Sequence, residues 1–183
     1  MRYPKLVISF VASLTVGLSV SSVCAQIVSP FSFDRIAAVA ESYSLPNVES
    51  LLMTDGIALA YRYYPASDEA QGTVILYHGA GLHSGAGYQI ISSILAHHGF
   101  NVITPDLRGH GLSGGQRGGT TSPNQVYADV DAIIDTAVER WPDLPLFLAA
   151  HSSSAGLLVN HAAYTTRASG IDAYALLAPL FDI

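Results

Sequence analysis

Residues 145–156 read P-L-F-L-A-A-H-S-S-S-A-G, and the fold is decided there. From Pro145 an apolar run of strand length leads to His151-Ser152, and small residues able to open a helix follow. A serine on a sharp strand-to-helix turn, with small neighbours two positions either side, is the sequence form of a nucleophile elbow. Such a turn lifts the hydroxyl into the open and aims the next helix N-terminus at it. The neighbours of Ser152 are Ala150 and Ser154, where G-x-S-x-G has glycines, so two added Cβ atoms are expected to crowd the turn. Ser153 and Ser154 compete for the role, Ser154 through S-x-S-x-G with Gly156, but the strand register from Pro145 selects Ser152. The plainer alternative is that all three serines are helix-capping hydroxyls.

On either side of this stretch, strand and helix patterns alternate. Thr73 to Tyr77 is a short continuous apolar run, as expected of a strand buried on both faces. Tyr88, Ile91, Leu95 and His98 recur at helical spacing, with Gly99 placed as a C-terminal glycine. Asn101 to Leu107 predicts the next strand, and Arg108 to Thr121 is a glycine-rich loop too flexible to be an element. Ser122-Pro123-Asn124-Gln125 has the form of a capping box with proline at the first helical position. Behind it Val126, Val130, Ile133, Ala137 and Trp141 form one apolar stripe, which Pro142 ends. Strand Leu146 to Ala150, a helix from about Ser154 to Arg167 and strand Ala173 to Ala178 follow. Upstream, Leu51 to Thr54, Asp55-Gly56 and Ile57 to Tyr64 predict a β-hairpin with a type I′ turn. Residues 26–50 form a lead-in arm with a short helix near Arg35 to Glu41.

A leading hairpin followed by β-α units predicts an α/β fold: a mostly parallel sheet with helices on both faces, spanning 51–183. The sequence stops just after an apolar strand whose edge nothing covers, so the domain reads as C-terminally incomplete.

The first 25 residues read as a signal peptide. Arg2 and Lys5 are its positive start, Leu6 to Val20 its apolar stretch, and Val23-Cys24-Ala25 its cleavage site before Gln26. The apolar run is short for a membrane span, so no stable membrane anchor is expected, and the protein is exported to the periplasm or the extracellular medium. The single cysteine, Cys24, leaves with this segment, so no disulfide or thiol nucleophile remains. Losing Arg2 and Lys5 takes the net charge from −6 to −8, with no basic cluster, which excludes nucleic acid as a natural partner.

In open α/β sheets the working groups sit in loops at the carboxyl ends of strands. Three stand out: His78 to Gly87, Arg108 to Gly119, and Ser152 itself. The backbone N–H of Ser153 would point where a tetrahedral oxyanion forms, and a second donor must come from His78-Gly79-Ala80-Gly81. Ala80 N–H is the choice, because small residues let that backbone approach a substrate carbonyl.

H-G-A-G-x-H-S at 78–84, D-x-R-G-H-G-x-S-x-G at 106–115 and W-P-D-L-P-L-F-L-A-A-H-S at 141–152 together resemble the α/β-hydrolase superfamily. Within it the chain is most similar to the monoacylglycerol lipase and lysophospholipase group, which overlaps the serine aminopeptidase-like hydrolases. The resemblance implies a serine esterase or lipase without metal or organic cofactor, acting on a small-molecule ester or lipid. It implies Ser152 as nucleophile, and Ala80 and Ser153 as the oxyanion hole. Monoacylglycerol, lysophospholipid, short-chain ester and peptide amide substrates all stay open.

A triad on this scaffold runs Ser, Asp or Glu, then His along the chain. His78, His83, His97, His98, His110 and His151 precede Ser152, and His161 lies on the helix directly after it, so none fits. His78 and His110 are expected to brace their loops, and Asp182 to be a loop carboxylate. No general base for Ser152 is found in these residues, and without one a serine hydroxyl is a poor nucleophile. A truncated, inactive hydrolase remnant is therefore one alternative. A dinucleotide-binding protein is another, since Gly79-x-Gly81-x-x-Ser84 follows a strand and Asp106 ends the next, but it lacks the third glycine and leaves Ser152 unexplained.

Overall fold

The computed structural model describes residues 8–10, 33–119, 122–166 and 170–180. Seven strands form one sheet: β1 (Ile8–Phe10), β2 (Val48–Leu52), β3 (Ala58–Tyr64), β4 (Gly72–Tyr77), β5 (Phe100–Pro105), β6 (Leu146–His151) and β7 (Ala173–Leu177). Four helices accompany them: α1 (Phe33–Glu41), α2 (Tyr88–His97), α3 (Pro123–Arg140) and α4 (Ser153–Tyr164). The strand order is β1-β7-β6-β4-β5-β3-β2, parallel from β1 through β5 and antiparallel at β3 and β2. This is the expected mostly parallel sheet with a leading hairpin.

The central strands are apolar throughout because both faces are covered, and successive side chains separate into two cores. Ile75, Tyr77, Ile103, Leu148 and Ala150 face α3 and α4, where Val130, Ile133, Ala137, Ala155 and Leu158 meet them. Val74, Leu76, Val102 and Ala149 face α2. Each fully buried side chain of this size contributes roughly 1.5–3 kcal/mol, so the alternation alone fixes the strand register.

Several local expectations need revision. The hairpin turn is not type I′. Met53 N–H donates to Ile57 O and Gly56 N–H to Met53 O, a three-residue loop with Gly56 left-handed at φ 82°. Asp55 is used differently from a turn residue alone: its carboxylate accepts from Ile57 N–H and pairs with Arg108. On α2 the buried face is Tyr88, Gln89, Ser92 and Ala96 rather than the full predicted stripe. Ile91 and Leu95 instead line an apolar hollow of about 460 Å³ with Leu76, Phe100, Phe147 and Tyr174. Ser122 caps α3 by accepting from Gln125 N–H, but the Gln125 side chain turns to Asp129. Helix α4 ends at Tyr164, and Arg167 lies outside the described residues.

Of the proposed signal segment only Ile8–Phe10 is described. It lies parallel on β7, pairing with Ala175–Leu177. An open strand edge accepts any extended apolar segment, which gives this pairing its physical reason.

The glycine-rich loop after β5 is neither helix nor strand, yet it is organised by hydrogen bonds. Gly109 N–H donates to Gly114 O, Gly118 N–H to Gly109 O, and Gly114 N–H to Ala58 O. Glycine serves geometry here rather than flexibility. At Gly109 (φ 73°) an added Cβ would lie 2.1 Å from the backbone oxygen of Gln116, whereas at Gly118 (φ 65°) it would meet open space. Gly118→Ala is expected to cost about 1–2 kcal/mol for the left-handed backbone alone. Gly109→Ala must cost more, because the loop has to move as well. A urea-unfolding comparison checks that order.

Candidate functional site

The chain turns sharply between β6 and α4, and Ser152 sits on the turn at φ 56°, ψ −121°. Only two described non-glycine residues have positive φ, Ser152 and Ala178. Holding such a backbone costs of order 1–3 kcal/mol and persists only when the surroundings dictate it. The surroundings here are explicit. Ser152 N–H donates to Leu177 O at 2.9 Å, and Ser152 O accepts from Ala155 N–H at 3.0 Å and Leu180 N–H at 3.2 Å. Ser153 and Ser154 lie within α4, so the strained turn separates Ser152 from its neighbours.

The two departures from glycine are accommodated. Ala150 is fully buried in the core shared with α3 and α4. Ser154, 1% exposed, donates its hydroxyl to His78 O at 2.5 Å. The expected crowding is therefore relieved by one packing contact and one hydrogen bond.

The loop after β4 lies directly against this turn. A Cβ on Gly79 would come 3.0 Å from His151 Nδ1 and 3.3 Å from Ser152 Cβ, so glycine is what allows the approach. That use accounts for the glycine which a dinucleotide reading would assign to a pyrophosphate. Gly79 N–H donates to Tyr88 Oη at 2.8 Å, and the same hydroxyl lies 2.9 Å from His151 Nδ1. Ala80 is exposed beside it. Ser153 opens α4, and the first N–H groups of a helix have no partner within it. The three loops singled out in the sequence thus converge at one end of the sheet.

Asp106 joins the second loop to the first. Its carboxylate accepts from Ser84 N–H at 2.6 Å and from Leu112 N–H at 2.8 Å. His78 and His110 brace their loops, as expected. His78 Nε2 accepts from Leu107 N–H at 3.0 Å and Nδ1 faces Gly79 O at 2.9 Å, while His110 Nδ1 faces Arg108 O at 3.0 Å. These bonds need a neutral His78 with its proton on Nδ1.

Burial holds the His78 imidazole below its ordinary value of 6.5, with nearby His110 and His83 acting the same way and Gly79 O and Asp106 opposing. The folded pKa is then the lower one, so the unfolded chain binds more protons in the interval. Stability from neutral His78 is complete above the unfolded value and is lost as pH falls through the folded one. Urea midpoints measured between pH 7.5 and 5 are expected to fall more steeply for the wild type than for His78→Gln.

His161 is not part of this site. It is buried on α4 with Nε2 2.8 Å from Asp131 Oδ1, on the flank of α3. Asp182 lies outside the described residues. Sequence reasoning missed Tyr88, read only as one apolar position of a helix stripe. It also missed the Arg108 guanidinium, which grips Asp129 through two bonds of 2.7 Å and reaches Asp55 at 2.8 Å. The arginine sits inside D-x-R-G-H-G, but its partners are distant in sequence and carry no local signal.

A mostly parallel sheet with a leading hairpin, helices on both faces and a strained serine elbow defines an α/β-hydrolase. A family profile described as serine aminopeptidase, S33 matches residues 68–183, and the chain belongs to that family. Mouse monoglyceride lipase is 33% identical over 131 residues, 71% of this chain and 42% of that enzyme. Monoglyceride lipase of Saccharomyces cerevisiae is 27% identical over 132 residues, again 42% of its length. The crystal structure of a soluble variant of the yeast lipase, in complex with a substrate analog, superimposes with a TM-score of 0.68 at 25% identity. That match covers 76% of this chain and 46% of the yeast chain. The carboxyl esterase of Bacillus coagulans shares the fold, with a TM-score of 0.63 at 24% identity and coverage of 73% and 44%. The chain spans under half the length of these relatives.

Proposed function

We propose that the protein is an exported serine hydrolase that cleaves carboxylic esters, monoacylglycerols or lysophospholipids above all, through an acyl-enzyme on Ser152. The observation that carries this reading is the Ser152 backbone at φ 56°, ψ −121°, between β6 and α4. Strain of this kind exposes a hydroxyl at the carboxyl end of the sheet, where α/β sheets place their ligands. The lipid preference rests on kinship with proteins named monoglyceride lipase. Export rests on the first 25 residues.

In the proposed reaction Ser152 Oγ attacks the ester carbonyl carbon and its proton passes to a histidine base. The carbonyl oxygen becomes an oxyanion, which the N–H groups of Ala80 and Ser153 receive. Collapse expels the alcohol, which takes the proton from the histidinium, and leaves an acyl ester on Ser152. Water, deprotonated by the same histidine, then releases the carboxylic acid and restores the serine. The reading takes the histidine and its orienting carboxylate from a continuation of the chain after Ile183, since none of the seven histidines fits the order.

Hydrolysis of a chain-length series of p-nitrophenyl esters and of monoacylglycerols by the full-length protein tests this. Turnover of esters with peptide amides untouched is the expected result. Turnover of amides alone would overturn the ester assignment.

A further inference from the structure

We infer that two hydroxyls, those of Tyr88 and Ser154, hold the His78–Ala80 loop against the elbow and so position one oxyanion donor relative to Ser152. The inference rests on the reading of Ser152 given above and adds two residues to it. The loop is tied at both ends of one peptide group, the 78–79 amide. His78 O accepts from Ser154 Oγ at 2.5 Å, and Gly79 N–H donates to Tyr88 Oη at 2.8 Å. Ala80 is the next residue along, so both ties act immediately before the peptide whose N–H is to meet the oxyanion.

The two ties have different anchors. Ser154 lies on the second position of α4, one residue after Ser153, so it couples the loop to the helix that supplies the other donor. Tyr88 is the first residue of α2, on the opposite face of the sheet, and its hydroxyl bridges the loop to His151, the last residue of β6. One proton assignment pairs Gly79 N–H, the Tyr88 hydroxyl and His151 Nδ1 together. Tyr88 Oη accepts from Gly79 N–H and gives its own proton to His151 Nδ1, which leaves the imidazole proton on Nε2. Both hydroxyls are buried: Tyr88 is 9% exposed and Ser154 1%. Burial also holds the Tyr88 phenol above its ordinary value, which keeps its donor proton in place.

Ser154 stands where the resembling family's G-x-S-x-G has glycine, and glycine has no hydroxyl to offer. The tie through Ser154 therefore belongs to this chain's own substitution. A donor displaced by about 1 Å can cost on the order of 100-fold in rate, so a loop held at both ends of the peptide before that donor has a catalytic consequence without touching substrate.

The test uses the full-length protein and two nearly isosteric variants, Tyr88→Phe and Ser154→Ala. Two readouts are taken: amide exchange of the 78–84 segment without ligand, and kcat and KM on a p-nitrophenyl ester. Each variant is expected to speed exchange at Gly79 and Ala80 by about 10-fold and to lower kcat by about 10- to 100-fold, with KM within twofold. The inhibition constant of a trifluoromethyl ketone, which forms the tetrahedral adduct, should rise by the same factor as kcat falls. Unchanged exchange in both variants would overturn the clamp. Faster exchange with unchanged kcat would overturn its positioning role. A wild type inert to both ester and ketone would instead sink the reading of Ser152, and that shows before any variant is made.

Discussion

Ser152→Ala in the full-length protein is expected to lower kcat/KM on an ester by about 10⁴- to 10⁶-fold, with binding of the product acid unchanged. The size follows from what the hydroxyl does in the proposed mechanism. It is the one protein atom that forms a bond to the acyl carbon in that mechanism, and losing such a nucleophile leaves little beyond binding and oxyanion stabilisation. The fold should survive, because the turn is fixed by backbone bonds from Ser152 to Leu177, Ala155 and Leu180. Ser152→Gly separates strain from chemistry. Glycine adopts φ 56° without the steric cost, so this variant should be equally inactive yet more stable than Ser152→Ala by about 1 kcal/mol or more. Ester hydrolysis and urea unfolding, measured side by side on the two variants, check both halves.

Arg108→Ala is expected to cost about 3–5 kcal/mol, the largest stability loss from any single polar side chain described above. Asp129 is as buried as Arg108, with side-chain exposures of 7% each, and the pair is bidentate at 2.7 Å. Removing the guanidinium leaves a buried carboxylate that, among the described residues, keeps only the Gln125 amide, at 3.2 Å, as a partner. Against a typical total of about 5–15 kcal/mol, that is a large fraction. With an m-value of roughly 2 kcal/mol/M the urea midpoint should fall by about 2 M. Asp55, whose side chain is 39% exposed, contacts the same guanidinium, and Asp55→Ala should move the midpoint far less. Equal shifts for the two variants would contradict the assignment of the loss to the unpaired Asp129 carboxylate. Because the ion pair ties the loop after β5 to α3, its loss should also loosen the loop that carries Asp106.

What was legible in the sequence was local. The apolar run of β6, the small residues after it and the capping serine of α3 each declare themselves within a few positions. The element order follows from such signals, and with it the fold. The elbow was legible for the same reason, since Ser152 needs only its own strand and helix to be placed. The glycine loop after β5 was harder. Its composition looks flexible, but its bonds run to Ala58 and Ala60 on β3, about fifty residues upstream. Bracing by His78 and His110 was expected, but the ties through Tyr88, Ser154 and Arg108 were not legible at all. Tyr88 meets His151 across 63 positions, Ser154 meets His78 across 76, and Arg108 meets Asp55 across 53. No pattern in the intervening residues marks those partners, because the sheet rather than the chain brings them together. The departures at Ala150 and Ser154 were visible as departures. What they do required knowing which space each Cβ enters.

The most direct measurement is the reaction of the full-length protein with a fluorophosphonate probe, followed by digestion and mass mapping of the adduct. The account predicts a single phosphonyl group on Ser152, absent from Ser152→Ala. An adduct on Ser153 or Ser154, or no adduct on a protein that still cleaves esters, would contradict it.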